Sequence, residues 1–215
     1  MTTVNKLLRF VWYNVIVRFV VMIGLGMNVR HRERLPANGP AIIVANHNSH
    51  LDTMVLMTLL PARLLPKLQP VAAADYFLRN KLVAWFALNI IGILPLSRKP
   101  KKGEDLFAGI HQALNDDRIL ILFPEGSRGE PEQMAHCKQG IARIAEKHPD
   151  VPIIPIYLHG LGKALPKGEA IFVPFFCDVF VGVPVQWSGD RKSFTKGVES
   201  ALKDLSEEGQ FSSWE

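Results

Sequence analysis

Cysteine is scarce in this chain. Only Cys137 and Cys177 occur in 215 residues, which excludes a disulfide framework and suits a reducing compartment. Long uninterrupted apolar runs are absent too. Residues 7–29 are strongly apolar, but Arg9 and Arg18 interrupt them, and the longest charge-free stretch, Phe19 to Val29, has eleven residues. A spanning helix needs roughly 20. No small-residue cleavage site follows in Met22 to Val29, against a signal peptide. The two-histidine metal motif His-Glu-x-x-His is missing, and the spacing of His47, His50 and Asp52 does not replace it, so no metal site is expected. Basic residues are not interleaved with aromatics, which argues against nucleic acid as a partner. Repeats and low-complexity segments are absent.

What is present points to membranes and anions. Hydrophobic residues make up 48% of the chain and charged residues only 21%, with a mean hydropathy of +0.12. The net charge of +5 favours anionic partners such as lipid head groups. Residues 1–30 are expected to form a membrane-associated helical segment lying in the bilayer interface, in two pieces that break near Gly24 and Gly26. Lys6, Arg9, Trp12 and Arg18 suit the boundary layer. The basic run Arg30-His31-Arg32 would sit on the cytoplasmic face, in a monotopic or peripheral arrangement. A purely structural buried helix is the alternative.

The rest of the chain, 31–215, alternates strand-like and helix-like segments. Strands are expected at Ala41–Ala45, Leu68–Ala73, Ile93–Ser97, Arg118–Phe123 and Val151–Leu158. The last contains Pro152 and Pro155 and is therefore expected to be frayed or at an edge. Ala170–Phe175 and Asp178–Val183 form a late pair. Helices are expected at His50–Leu60, Tyr76–Ile91, Glu104–Leu114, Ile141–Lys147 and Phe194–Glu207. This alternation predicts an α/β fold, a largely parallel mixed sheet sandwiched by helices.

The most informative segment is Asn46 to Thr53, NHNSHLDT. It places His47 at the end of the strand AIIVA, and Asp52 five residues on. A carboxylate that accepts one imidazole N–H fixes the tautomer whose other nitrogen can take a proton. Such a pair activates a hydroxyl. Ser49 capping a helix that starts at His50, with Asp52 in a capping box, explains the same residues structurally. The two readings are compatible, because a capped helix start brings Asp52 near His47.

Three further clusters follow. In IGILPLSRK, Ile91 to Lys99, Arg98 leaves a strand and enters the basic tract Arg98 to Lys102; a guanidinium fork suits phosphate, and a solvated basic loop is the alternative. FPEGSR, Phe123 to Arg128, ends the strand RILILF. Gly126 permits close backbone approach, Arg128 can bind phosphate, and Glu125 can accept a substrate hydroxyl or hold an arginine. A simple turn with a Glu125–Arg128 ion pair is the bland reading. The fourth, VPIIPIYL, is a proline-containing apolar strand.

Taken in order, these four clusters resemble the glycerolipid acyltransferases, whose best-known members acylate lysophosphatidic acid. The His-x4-Asp motif falls on His47 and Asp52, and the Gly-x5-Arg motif on Gly92 and Arg98. The third motif falls on Phe123 to Arg128, and the proline-containing fourth on Val151 to Pro155. The resemblance runs from about Ala41 to His159. It implies an acyltransferase domain over 31–215 with an α/β sandwich fold. It also implies catalysis by His47 as general base oriented by Asp52, and binding of a lysophospholipid acceptor by Arg98, Glu125, Gly126, Ser127 and Arg128. The acyl donor would be acyl-CoA or acyl-carrier protein, with no cofactor.

Other readings remain at this stage: Ser49 as a covalent nucleophile, a metal hydrolase, and a non-catalytic lipid-binding protein. The helix Tyr76–Ile91, with Trp85 and Phe86, is a candidate lining for an acyl-chain tunnel, with ordinary core as its alternative.

Overall fold

A computed structural model describes residues 2–98, 103–130, 133–165, 173 and 175–211. The chain opens with a helical stretch made of α1 (Thr3–Val11), a π-helical segment (Trp12–Val17) and α2 (Arg18–Gly24), followed by β1 (Leu25–Arg30). Next come β2 (Ala41–Ala45), α3 (Leu51–Leu59), β3 (Leu68–Ala73), α4 (Ala74–Phe77), α5 (Lys81–Phe86) with a π-helical extension (Ala87–Ile91), and β4 (Leu94–Leu96). The remainder is α6 (Ala108–Asn115), β5 (Ile119–Leu122), α7 (Gly140–Lys147), β6 (Ile153–His159), α8 (Leu161–Ala164), β7 (Phe175–Val181) and α9 (Arg191–Glu208).

The strands form one sheet in the order β1-β7-β6-β2-β5-β3-β4. Every neighbouring pair is parallel except β6–β7. Helices cover both faces, which is why β2 reads as an unbroken apolar run. Ala41, Ile43 and Ala45 join Tyr13, Val17, Val21, Val55 and Leu59 on one side. Ile42 and Val44 join Ile110, Leu114, Ile144, Phe194 and Val198 on the other. Each large apolar side chain fully buried this way contributes about 1.5–3 kcal/mol.

Several expectations need correction. Leu25–Arg30 is not helical but an edge strand, parallel to β7 from Leu25↔Phe175 to Arg30↔Phe180. The helix ends at Gly24, after which alternate residues Leu25, Met27 and Val29 pack on the core. A period of two replaces the helical one. The N-terminal helix itself is continuous to Gly24, with π geometry in its middle.

The strand with two prolines is not at an edge. β6 lies between β7 and β2 and is buried throughout. Pro152 precedes it and only accepts, from the Ile42 N–H at 3.0 Å. Pro155 faces the side of β7 just past that strand's last residue, Val181, which pairs with Ile156. Its carbonyl takes the Gly182 N–H at 2.8 Å, so its missing N–H breaks no ladder.

Tyr76–Ile91 is interrupted, because Asn80 caps a new start by accepting from the Leu82 N–H at 2.8 Å. It is not ordinary core either: Leu82, Val83, Trp85 and Leu88 are exposed. Of the expected strand Ala170–Phe175, only Val173 and Phe175 are among the described residues, and Phe175 opens β7.

Candidate active site

The parallel register fixes where the chemistry gathers. Val44 pairs with Leu122 and Ala45 with Ile156, so the segments after β2 and β5 leave the sheet side by side at one end. That is the carboxyl edge where open α/β sheets hold ligands. His47 follows β2, and Phe123 to Arg128 follow β5.

His47 Nδ1 lies 2.9 Å from Asp52 Oδ2. The same oxygen accepts the backbone N–H groups of Asn48 at 2.8 Å and Ser49 at 2.9 Å. The Ser49 bond is one half of a capping box. Its other half is displaced, with Ser49 Oγ accepting from the Leu51 N–H at 3.2 Å. Capping and orienting are therefore one structure. Asp52 is 1% exposed and His47 19%: the carboxylate is locked inside and the imidazole reaches the surface. With Nδ1 directed at the carboxylate, Nε2 is the nitrogen left to take a proton.

The imidazole is stacked on Phe123, centroids 3.9 Å apart and planes 17° apart. Its backbone is gripped from the loop after β5. The His47 N–H donates to Glu125 Oε1 at 2.9 Å and its carbonyl accepts the Gly129 N–H at 2.9 Å. Asn46 extends the sheet with its side chain, exchanging two bonds with the Leu158 backbone. Asn48 Nδ2 donates to the Glu130 carbonyl at 2.7 Å. Sequence reasoning gave no role to Asn46, Asn48 or Gly129. The two asparagines flanking His47 were a usable signal, since buried amides fix loops only when paired. Gly129 carried none.

Glu125 is 3% exposed, and its second oxygen accepts the Ala135 N–H at 3.1 Å. Burial raises its pKa, opposed by its two backbone hydrogen bonds. Gly126 has φ +78°, and a side chain there would meet Lys138 Nζ at 2.6 Å. Lys138 is thus a further cation beside the loop. Ser127 is exposed and Arg128 half-buried. His50 has its pKa lowered, first by burial and then by the charges of Arg128 and His47. Arg98 stands apart at the end of β4, 3.7 Å from Asp75, both groups largely exposed. Tyr76, the residue after Asp75, has its ring 6.5 Å from that of His50. Lys99 to Lys102 lie outside the described residues.

The reading of Ser49 as a covalent nucleophile loses support. Ser49 is fully buried and its hydroxyl donates to the Leu165 carbonyl at 2.9 Å, so its proton is not offered to His47. Burial pushes the Cys137 thiol up to about 12, which keeps it protonated and a poor nucleophile. Among the described residues no group of three or more His, Cys, Asp or Glu side chains is arranged to hold a metal ion.

A family model described as acyltransferase matches residues 26–159, well over half of the chain and spanning all four motifs. The chain belongs to this family. It is 30% identical over 172 residues to the human 1-acyl-sn-glycerol-3-phosphate acyltransferase alpha, covering 77% of this chain and 57% of that one. It is 30% identical over 155 residues to the 1-acyl-sn-glycerol-3-phosphate acyltransferase of Saccharomyces cerevisiae, covering 71% of this chain and 49% of that one. A chloroplastic protein of the same name from Arabidopsis thaliana is 29% identical over 145 residues, 66% of this chain and 38% of the relative. The matches thus cover about two fifths to three fifths of these relatives' lengths. The crystal structure of a 1-acyl-sn-glycerophosphate acyltransferase, PlsC, from Thermotoga maritima shares the fold. Its TM-score is 0.73 at 21% identity, over 99% of this chain and 82% of that one.

Proposed function

We propose that this family member moves a fatty acyl group from an acyl thioester to the free hydroxyl of 1-acyl-sn-glycerol-3-phosphate, giving phosphatidic acid. The observation that carries the reading is the His47–Asp52 pair, Nδ1 to Oδ2 at 2.9 Å, with Nε2 left as base. The acceptor hydroxyl gives its proton to His47 Nε2 as its oxygen attacks the thioester carbonyl. The tetrahedral oxyanion collapses, the C–S bond breaks, and the thiolate takes the proton back from the imidazolium. The step balances without an acyl-enzyme or a cofactor. Arg128 and Arg98 supply charge for the acceptor phosphate. Gly126 and Ser127 offer an exposed turn beside them. The donor is acyl-CoA or acyl-carrier protein, both acidic, which suits the basic tract from Arg98 to Lys102.

The acceptor is a bilayer lipid, and two segments support docking to a membrane surface. Among the described residues no helix is long and apolar enough to cross a bilayer. The N-terminal helix exposes Leu7, Phe10, Val15, Phe19 and Ile23, and α5 with its extension exposes Leu82, Trp85 and Leu88. The segments are bonded together: Asn5 Nδ2 donates to Asn89 Oδ1 at 2.6 Å, Tyr13 OH to the Ile91 carbonyl at 3.3 Å, and the Trp12 and Phe86 rings meet edge-on at 5.0 Å. Exposed apolar area on this scale marks a lipid or protein contact, and the proposal is an interfacial, monotopic seat on the cytoplasmic face.

The test is acyl transfer from labelled acyl-CoA and acyl-carrier protein to a panel of lysolipids, run beside His47→Ala. Transfer to lysophosphatidic acid that falls by about 10²–10⁴ in the variant is expected. A His47→Ala protein within tenfold of wild type overturns the mechanism. Lipid binding without transfer from either donor moves the reading to a non-catalytic lipid-binding protein.

A further inference from the structure

We propose that Glu125 is a positioning residue for His47 and not a ligand of the acceptor. The inference rests on the reading of His47 as the general base.

Glu125 sits between the buried Pro124 and the exposed Gly126 and Ser127, and is itself 3% exposed. Each of its oxygens is taken by a backbone N–H, Oε1 by that of His47 at 2.9 Å and Oε2 by that of Ala135 at 3.1 Å. The loop supplies a second hold four residues on, where the Gly129 N–H donates to the His47 carbonyl at 2.9 Å. Both polar groups of the His47 peptide backbone are thus fixed by one segment, and Asp52 fixes the ring through Nδ1.

Three restraints of this kind leave the imidazole little freedom to move Nε2. Residues that act through another catalytic group matter because roughly 1 Å of misplacement costs about 100-fold in rate. A carboxylate placed to receive an acceptor hydroxyl would need an oxygen facing the cleft. Here both face the backbone. Desolvation raises the carboxyl pKa while the two N–H bonds oppose that shift. The acidic group is thus kept in a costly place for the sake of the bonds it accepts, since an unpaired buried backbone N–H is also costly.

Steady-state kinetics on the full chain, with lysophosphatidic acid in detergent micelles, tests this with Glu125→Gln, Glu125→Ala, His47→Ala and the double variant His47→Ala/Glu125→Gln. Glu125→Gln keeps the shape and one acceptor oxygen. Its kcat is expected to fall about 10- to 100-fold, with the acceptor KM within threefold of wild type. Glu125→Ala is expected to lose at least as much kcat. If Glu125 acts through His47, the double variant is no slower than His47→Ala alone.

Three results overturn the inference while leaving His47 as base: a Glu125→Gln protein whose acceptor KM rises tenfold or more at unchanged kcat, one indistinguishable from wild type, or additive losses in the double variant. A His47→Ala protein that keeps its turnover overturns the general-base reading itself, and the inference with it. Should Glu125→Ala not fold, as judged by circular dichroism, the near-isosteric Glu125→Gln and the double variant carry the decision.

Discussion

The guanidinium of Arg9 lies against Gly92, so closely that a methyl group added to the glycine would sit 2.6 Å from Arg9 Cζ. Arg9 is buried, donates to the Leu68 carbonyl at 2.7 Å, and has its pKa lowered mainly by burial. Gly92 adopts φ +78° where the π-helical extension of α5 ends. The glycine of the second motif is therefore required twice, by backbone conformation and by a cation from the N-terminal helix. Gly92→Ala is expected to destabilise the fold by about 1–2 kcal/mol from the left-handed backbone alone, and more from displacing Arg9. Chemical denaturation checks this; unchanged stability would show that Arg9 yields freely.

The His47–Asp52 bond gives a sharper test of mechanism than deletion. Asp52→Asn preserves the shape and removes the charge. Oδ2 takes His47 Nδ1 and the Asn48 and Ser49 N–H groups together, so an amide oxygen there keeps the three bonds but no longer stabilises the imidazolium by its charge. A loss of about 10²–10⁴ in kcat is expected as general-base catalysis fails. Turnover within tenfold of wild type would mean that the Asp52 charge is unimportant here.

Arg128 separates acceptor recognition from chemistry. A lost charge-assisted hydrogen bond costs roughly 1.5–3 kcal/mol, so Arg128→Ala is expected to weaken kcat/KM for lysophosphatidic acid by about 10- to 100-fold. A neutral monoacylglycerol acceptor is expected to be affected far less. An equal loss on both acceptors would assign Arg128 a structural role.

Leu82 is 79% exposed and Phe19 63%, on the two bonded segments. Burying one such side chain in lipid is worth about 1.5–3 kcal/mol. Leu82→Asp and Phe19→Asp are each expected to lower binding to anionic vesicles at least about tenfold, at unchanged melting temperature. Full vesicle binding by Leu82→Asp would remove α5 from the membrane surface.

A histidine pair far from the motifs predicts a pH effect on stability. His111 Nδ1 and His148 Nε2 are 3.0 Å apart, joining α6 to the end of α7. Both pKa values are lowered from 6.5, first by burial and then by the nearby Lys147. A histidine with a depressed folded pKa contributes stability that is present above the unfolded value and lost as pH falls through the folded one. The melting temperature is therefore expected to drop as pH goes from 7.5 toward 5, and His148→Gln is expected to flatten that slope. A slope identical to wild type would show the pair to be silent.

Much of this architecture was legible in the sequence. Alternation of apolar runs with helical periods gave the α/β class, and β2, β3, β5 and the C-terminal helix fell close to their expected places. NHNSHLDT specified both a helix start and a histidine–carboxylate pair, because both depend on local spacing, which the sequence states directly. Errors arose where a neighbour decided. Pro155 reads as an edge signal, yet the strand is central because β7 ends at Val181 and Pro155 meets Gly182 beyond it, where its carbonyl is bonded and no ladder N–H is needed from it. Leu25–Arg30 reads as more of an apolar helix, yet it extends because β7 offers it a ladder.

By itself the sequence determined the strand and helix periods, the four motifs and their order, since these rest on residues near one another in the chain. Only the tertiary structure decided how the motifs combine. Parallel pairing of β2 with β5 set Glu125 on the His47 N–H, 78 positions away in sequence. Parallel pairing of β3 with β4 likewise brought Arg98 to 3.7 Å from Asp75. Contacts at such separations follow from strand order and register, which the local pattern of a sequence does not encode.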